Sequence, residues 1–155
     1  MIKRNSINVN AHIFEQMTNV FWFIRCGSSM VKVEEYEQHS LRFIMDNCRL
    51  KDYPHTLYKI MYSMVKAIGY LHENNFYHLN LHPDNIFVRL ATSDFRPSSM
   101  EVSGIRFTDP KLGWYSTTKY TAREGADHSE QDLYSVGSVI YEMITGILPL
   151  RNRNN

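Results

Sequence analysis

The 155-residue sequence is short of the features that mark several large protein classes. It has only two cysteines, Cys26 and Cys48, without metal-binding spacing, which disfavours a disulfide-built secreted fold. No apolar run is long enough to span a bilayer, and the N-terminus lacks the apolar core of a signal peptide. The net charge of +1 argues against a nucleic-acid-binding surface. We therefore expect a cytoplasmic or nuclear protein that is not secreted and binds neither membrane nor nucleic acid.

The sequence does contain enough apolar side chain for a folded core. Hydrophobic residues make up 43% of the chain and aromatic residues 13%, which disfavours global disorder. The length suggests a single domain. We assign residues 19–150 to this domain, with a poorly defined N-terminal segment at 1–18 and a polar tail at 151–155.

The pattern of apolar residues in the first half predicts a hairpin and two helices. Aromatic and β-branched runs at 19–26 and 30–37 flank the sequence "GSS", which indicates a β-hairpin. A short helix is expected in "SLRFIMDNCRL", with Ser40 as its N-cap. An i, i+3, i+4 apolar stripe from Leu57 to Leu71 then predicts a long amphipathic helix.

The second half predicts two short strands and another long helix. The strands are expected at 86–90 and 105–109, separated by a turn-rich excursion. Residues 110–128 show no periodicity and are interpreted as an extended surface segment whose hydroxyl groups, including that of Tyr120, are solvated. The last helix is expected from an N-cap at Ser129 to Gly146, and its apolar residues on nearly all sides indicate burial.

Four motifs in this order resemble those of the protein kinase family. "YLHENNFYHLNLHPDNIFV" is similar to the helix and catalytic loop centred on H-R-D-L-K-P-E-N, and "FTDPKLG" stands where the D-F-G segment belongs. "TAREG" resembles the A-P-E region, and "DLYSVGSVIYEMITGILP" resembles the helix that follows it. The resemblance implies an α+β, partial protein kinase-like fold: a mostly helical large lobe with a remnant β-hairpin of the small lobe.

The resemblance covers the middle of a kinase domain, from the hinge to the helix after the activation segment. No G-x-G-x-x-G loop, V-A-I-K-type lysine or later large-lobe helix is recognisable. This extent and the H-x-N loop are also similar to short viral kinase-lobe mimics that inhibit host kinases. Without the later helices, an apolar face of the last helix would be uncovered, and such faces usually mark interfaces.

The positions that carry the chemistry in the family are changed. Asn80 replaces the aspartate that accepts the substrate proton, and His82 replaces the lysine that steadies the transferred phosphate. An amide has no useful basicity, so a general-base contribution of about 10²–10⁴-fold is lost. A neutral imidazole compensates phosphate charge poorly. The resemblance therefore implies no confident catalytic residue.

Other positions of the family pattern are kept. Asn85 and Asp109 match its two metal-binding residues, whose oxygen ligands suit Mg²⁺. Glu35 and Tyr36 match the hinge beside the adenine edge of a nucleotide. The residues that match structural positions are His78, Glu124 and Asp132.

Two functions of different classes follow from this resemblance. The first is a catalytically inactive, kinase-shaped protein that acts through protein–protein interaction, regulates or inhibits a true kinase, and needs no cofactor. The second is an atypical or split serine/threonine kinase with weak Mg-ATP-dependent phosphoryl transfer. Asn80 and the absent small-lobe lysine favour the first. Its expected partner is another protein, with a protein kinase as the leading candidate, and oligomerisation through the uncovered apolar surface is an alternative.

Overall fold

The computed structural model describes residues 17, 20–34, 36–37, 39–91, 95–108 and 119–149. In this part of the chain the elements are β1 (Val20–Cys26), β2 (Ser29–Glu34), α1 (Leu41–Asn47), α2 (Pro54–Glu73), β3 (Ile86–Leu90), β4 (Val102–Phe107) and α3 (His128–Thr145). The strands form two antiparallel ribbons, β1–β2 and β3–β4. The predicted α+β class is therefore confirmed.

The predicted hairpin is the β1–β2 ribbon. Gly27 begins its two-residue turn with a φ of 64°, a left-handed conformation that glycine adopts without steric cost. Ile24 lies opposite Val31 in the register, and these side chains are 49% and 45% exposed. After β2, the chain contacts the second ribbon through Glu37, whose carboxylate lies 3.2 Å from the Arg106 guanidinium of β4.

Helix α1 begins as predicted but ends early. The Ser40 hydroxyl oxygen accepts the Phe43 N–H at 3.1 Å, the contact expected of an N-cap serine. The helix ends at Asn47, and the rest of the predicted helix leads into a 3₁₀ turn at Leu50–Asp52. Ser40 also forms an isolated bridge with Phe87, which attaches α1 to β3.

Helix α2 begins three residues before the predicted stripe. Its first residue is Pro54, and proline suits a first helical position because no backbone N–H is needed there. The helix packs against both β4 and α3. Beyond its end, Asn75 has a φ of 58°, a conformation that asparagine tolerates better than most side chains.

The β3–β4 ribbon closes the core through β4, which packs against α2. Strand β3 has the predicted bounds, whereas β4 runs from Val102 to Phe107, earlier than the predicted 105–109, because Val102 pairs with Leu90. The largest fully buried side chains of the core are Phe107, Leu41, Ile44, Ile60, Met64, Ile68, Leu71, Leu81 and Ile86.

The predicted N-cap of α3 is wrong, although its end is as predicted. Asp127 is the N-cap: its carboxylate accepts the Glu130 N–H at 2.8 Å, and the Glu130 carboxylate accepts the Asp127 N–H at 3.0 Å. This capping box satisfies two terminal N–H groups, and Ser129 lies in the first turn instead. Gly146 ends the helix with a φ of 77°.

Burial of α3 on nearly all sides is not observed. Val136, Val139 and Met143 are buried, whereas Leu133 is 57% and Tyr141 43% exposed. Of the acidic residues of the helix, Asp132 and Glu142 are buried, whereas Glu130 in the first turn is exposed. Among the described helices, none combines the length and apolar composition that a membrane span requires.

Candidate functional site

Residues 78–85 form a loop between α2 and β3, and its first turn is anchored to α3. The backbone N–H groups of His78 and Leu79 donate to the two carboxylate oxygens of Asp132, at 2.8 and 2.7 Å. Asp132 is completely buried, and hydrogen bonds to a charged acceptor are stronger in such a site than at the surface. Leu79 has a φ of 62°, so the carboxylate holds a backbone conformation that is costly for a non-glycine residue.

His72 completes this anchor, and sequence reasoning missed it. Its Nε2 lies 3.0 Å from an Asp132 carboxylate oxygen, and its Nδ1 lies 3.1 Å from the Ser129 hydroxyl. A ring protonated at Nε2 donates to Asp132 and accepts from Ser129 at the same time. The last turn of α2, the loop and α3 therefore meet at one carboxylate. The one sequence signal for this role was the position of His72 directly after the apolar stripe, close to the start of the loop.

His78 makes the contacts of a residue that fixes the loop. It is completely buried, its Nε2 lies 3.0 Å from the Thr108 carbonyl oxygen, and its Nδ1 accepts the Asn80 N–H at 3.3 Å. The ring also packs edge-on against Phe107, with centroids 5.6 Å apart. Both ring nitrogens are therefore engaged within the fold.

Asn80 and Asn85 are joined through the backbone of the loop. The Asn85 amide group donates to the Asn80 carbonyl oxygen at 3.0 Å, and the Asn85 carbonyl oxygen accepts the Thr108 N–H at 3.0 Å. These bonds orient Asn85, which is 8% exposed, at the end of the loop. The resemblance predicts Asn80 at the proton-acceptor position, and a neutral amide offers no general base at neutral pH.

His82 is held by two neighbours. Its Nδ1 lies 3.2 Å from an Asp84 carboxylate oxygen, and its ring stacks on that of Tyr120, with centroids 6.2 Å apart and planes at 28°. The His82 side chain is 12% exposed, whereas that of Asp84 is 61% exposed. This is a packed aromatic ring, and it lacks the length and flexibility with which a lysine reaches a phosphate.

The remaining predicted site residues are either outside the described part of the chain or exposed. Glu35 and Asp109 lie outside the described residues, Tyr36 is 83% exposed, and Glu124 is exposed. Within the described ranges, no group of three or more His, Cys, Asp or Glu side chains is placed to hold a metal ion. Asn85 supplies one oriented oxygen, fewer than the several that a divalent cation requires from protein and substrate.

A second polar cluster joins α1, α3 and the segment before α3. The Arg42 guanidinium donates to the Glu142 carboxylate at 3.1 and 3.3 Å and to the Tyr120 hydroxyl at 2.8 Å. The Tyr120 hydroxyl in turn donates to Glu142 at 2.7 Å. We call these three residues the Arg42 cluster. Sequence reasoning missed it, and the one available signal was a glutamate within an apolar helix.

Tyr120 corrects the expectation of a solvated hydroxyl in an extended surface segment. The residue is 6% exposed, and its carbonyl oxygen accepts the Ser135 hydroxyl of α3 at 2.7 Å. Burial and the hydrogen bond to Glu142 raise the pKa of the Tyr120 phenol above its ordinary range. The segment at 119–124 is therefore attached to α3 by both backbone and side chain.

A cavity of about 170 Å³ lies next to the Arg42 cluster, at the end of α3. It is lined by α1, the following 3₁₀ turn and residues 142–146, and no residue of the loop at 78–85 contributes to it. Its lining includes Cys48, and burial raises the pKa of that thiol. The cavity is therefore distinct from the site that the sequence motifs predict.

Known proteins similar to this chain are protein kinases. A family model described as protein kinase domain matches residues 7–155. CBL-interacting protein kinase 21 of Oryza sativa subsp. japonica is 30% identical over 104 residues, which cover 62% of this chain and 20% of that protein. CBL-interacting serine/threonine-protein kinase 10 of Arabidopsis thaliana is 24% identical over 166 aligned residues, which cover 92% of this chain and 34% of that protein. The chain thus spans between a fifth and about a third of the length of these relatives.

Proposed function

The chain belongs to the protein kinase family, and we propose that it is a catalytically inactive member that acts by binding another protein. One observation supports this proposal: the backbone of the loop at 78–85 is anchored on Asp132, and the sequence has Asn80 where the resemblance predicts the proton acceptor. Kinase catalysis depends on positioning and electrostatic stabilisation, so a loop can keep its shape after the chemistry is lost. Loss of the base alone costs about 10²–10⁴-fold in rate.

The environment of His82 supports the same proposal. A lysine at this position would bring a flexible cation to the transferred phosphate. The His82 ring instead contacts Asp84 and Tyr120, and the His82 side chain is only 12% exposed. A stacked ring beside a carboxylate supplies little of the positive charge that phosphoryl transfer requires.

The exposed side of α3 supports a binding role. Several large uncharged side chains of the helix are considerably exposed, and so is Ile147, the second residue after it. They are Leu133 (57%), Tyr134 (39%), Tyr141 (43%), Ile144 (43%) and Ile147 (61%). Interface centres are poor in charge and rich in tyrosine, so this face suits contact with another protein. We propose a protein kinase as the partner class, which such a chain would regulate or inhibit.

A weak, Mg-ATP-dependent serine/threonine kinase is the second candidate. The observation that favours it is the orientation of Asn85, whose side-chain amide donates to the Asn80 carbonyl oxygen, because the resemblance predicts Asn85 as a metal ligand. In the sequence, Asp109 supplies a carboxylate at the second position that the resemblance predicts to bind the metal ion. When bound, Mg-ATP would supply the phosphoryl group, and Asn85 and Asp109 would hold its metal ion.

Nucleotide binding separates the two candidates. We expect millimolar ATP with Mg²⁺ to leave the melting temperature unchanged, because a ligand that does not bind cannot stabilise the folded state. We also expect no phosphoryl transfer to a generic protein substrate above a no-protein blank. A melting shift with transfer that Asp109→Ala abolishes, and that the surface control Asp52→Ala keeps, would instead establish the second candidate.

Binding to a kinase can be tested with purified protein kinase domains. Leu133→Ser combined with Tyr141→Ser changes the exposed face of α3, and Tyr58→Ser changes an exposed tyrosine of α2 as a matched control. We expect at least one kinase domain to bind the unmodified chain and the control, with at least tenfold weaker binding of the α3 variant. Equal affinities for all three proteins would rule out this face as the interface.

A further inference from the structure

Helix α2 has a second row of uncharged residues that does not belong to the core. Tyr58, Tyr62 and Val65 are 64%, 56% and 55% exposed, although the helix also packs against β4 and α3. The rings of Tyr58 and Tyr62 stack on each other, with centroids 6.2 Å apart and planes at 17°. Gly69 lies one turn beyond Val65, and the space where its side chain would stand is open. We call these four residues the outer face of α2.

The outer face of α2 has the spacing of a coiled-coil seam. Its residues follow one another at intervals of four, three and four positions, which is the alternation of the a and d positions in a heptad repeat. At a rise of about 1.5 Å per residue, the face is roughly 16 Å long. A helix of a partner can therefore lie along it, with one of its side chains in the open space over Gly69.

Two lysines accompany the outer face on one side. Lys59 directly follows Tyr58 and Lys66 directly follows Val65, which places both at the e position of the heptad, where charged side chains select the partner helix. Lys66 is exposed and Lys59 is half-buried. In the described part of the chain, neither lysine forms an ion pair or a side-chain hydrogen bond. The only acidic residue of α2 is Glu73, at its last position.

This charge distinguishes between the occupants that could cover the face. A second copy of the chain would offer the same lysines along its α2 and no carboxylate to pair with them before the last residue of the helix. Anionic membranes are recognised by clusters of about four to eight basic residues, which is more than the lysine pair supplies. A helix with acidic side chains beside its own apolar seam is complementary, because each carboxylate can lie opposite a lysine.

We propose that the outer face of α2 is a docking site for an acidic amphipathic helix of a partner protein. Tyrosine gives a large contact area with little loss of conformational entropy, and the stacking of Tyr58 on Tyr62 already orders both rings. The proposal goes beyond the function proposed above and does not depend on it. Helix α3 contains neither lysine nor arginine, so its exposed face would select a partner of different charge.

Titration of the full chain with synthetic helical peptides tests this docking site. The acidic peptide has leucine at its a and d positions and glutamate at e and g, where like charges keep it from pairing with itself. A basic peptide has lysine in place of glutamate, and a scrambled peptide has the acidic composition without the heptad spacing. We expect the acidic peptide to bind at least tenfold more tightly than the other two and to shift the ring proton resonances of Tyr58 and Tyr62.

Charge reversal of the lysines is the most specific variant. Lys59→Glu combined with Lys66→Glu should weaken binding of the acidic peptide at least tenfold and strengthen binding of the basic peptide, because only the sign of the flanking charge changes. Added salt should weaken binding of the acidic peptide to the unmodified chain. A merely structural role of the lysines would not exchange one peptide for the other.

The apolar part of the face is tested separately. Tyr62→Ser combined with Val65→Ser should weaken the acidic peptide at least tenfold without any gain for the basic one. Leu133→Ser combined with Tyr141→Ser, on the exposed face of α3, is the matched control and should leave peptide binding unchanged. If the α2 variant does not fold, Gly69→Glu replaces it, because the added carboxylate stands in open space and repels an acidic helix.

Three results would overturn the docking site. They are an acidic peptide that does not bind at millimolar concentration, equal binding of the acidic and basic peptides, and equal binding of the acidic peptide to the charge-reversed variant. Vesicles rich in phosphatidylserine should not bind the chain, and vesicle binding that the charge reversal abolishes would assign the lysines to a membrane instead. Failure of kinase binding through α3 would leave peptide binding intact, so the two proposals fail separately.

Discussion

Two buried carboxylates on α3, Asp132 and Glu142, are stabilised in different ways. Asp132 accepts hydrogen bonds from the backbone N–H groups of His78 and Leu79 and lies beside the His72 imidazole. Backbone N–H groups are present whatever the side chain, so this anchor tolerates the replacement of loop residues. The start of the loop, at residues 78 and 79, can therefore keep its backbone conformation while the chemistry of the loop changes.

Glu142 depends on the identity of its neighbours. Its carboxylate contacts the Arg42 guanidinium and the Tyr120 hydroxyl, which no other pair of side chains would reproduce in the same geometry. Loop residue 82 is thus attached through side chains, by the stacking of His82 on Tyr120. The comparison separates an anchor made by backbone groups, at Asp132, from one made by side chains, at Glu142.

Removal of the backbone anchor should have the largest effect. We expect Asp132→Ala to lower the free energy of unfolding by about 3–5 kcal/mol, because it leaves the buried backbone donors of His78 and Leu79 unpaired. Urea denaturation measures this, with Asp52→Ala at the surface as the control. A loss below about 1 kcal/mol would show that the loop is held by other contacts.

Glu142→Gln should have a smaller effect. The amide keeps the size and one acceptor oxygen but loses the charge that balances Arg42, and the partial exposure of Arg42 lets solvent screen the pair. We expect a loss of about 1–3 kcal/mol in urea denaturation. The control is Asp46→Asn, whose carboxylate is 61% exposed and 3.8 Å from Arg42, and which should change the value by less than about 0.5 kcal/mol. Equal losses in both variants would contradict the comparison.

Tyr120→Phe removes the hydrogen bonds of the hydroxyl to Arg42 and Glu142, but those two groups stay paired with each other. We therefore expect a cost of about 0.5–1.5 kcal/mol at pH 7. The folded state favours the protonated phenol, since burial and Glu142 raise its pKa. The resulting stability is complete below the ordinary tyrosine pKa of about 10 and is lost as the pH rises through the higher folded value. The unmodified chain should therefore lose stability more steeply above pH 10 than Tyr120→Phe.

Denaturation from pH 8 to 11 measures this difference, and Tyr58→Phe, on a tyrosine that is 64% exposed, is the control. Parallel stability curves for the unmodified chain and Tyr120→Phe would show that the phenol is not shielded in solution.

The smallest effect is expected at the exposed face of α3. Leu133→Ser should change the free energy of unfolding by less than about 0.5 kcal/mol, because the side chain is 57% exposed in this fold. Val139→Ser, at a completely buried position of the same helix, is the matched comparison and should be strongly destabilising. A loss above about 1 kcal/mol at Leu133 would mean that another surface already covers it in solution.

Much of the fold follows from local patterns, and the misplaced start of α3 has a local cause too. The Ser40 cap, the strand at Ile86–Leu90 and the end of α3 at Gly146 were predicted correctly, because each depends on neighbouring residues. The start of α3 was predicted wrongly because both Asp127 and Ser129 are good N-caps, and the Glu130 side chain selects the former.

The candidate site is predictable only in part. The residue types at Asn80 and His82 are visible in the loop motif, and their loss of basicity and charge follows from chemistry alone. The stacking of His82 on Tyr120 is not visible, because no periodicity links a loop to an irregular segment far along the chain. The roles of Glu35 and Asp109 remain predictions.

The sequence by itself determined the order of helices and strands and the chemical character of the loop, since both depend on neighbouring residues and on side-chain type. Only the tertiary structure decided which distant groups meet. His72 reaches Asp132 across 60 residues, and Arg42 reaches Glu142 across 100. A buried carboxylate must find donors wherever the packing of helices presents them, and that packing is a property of the whole fold.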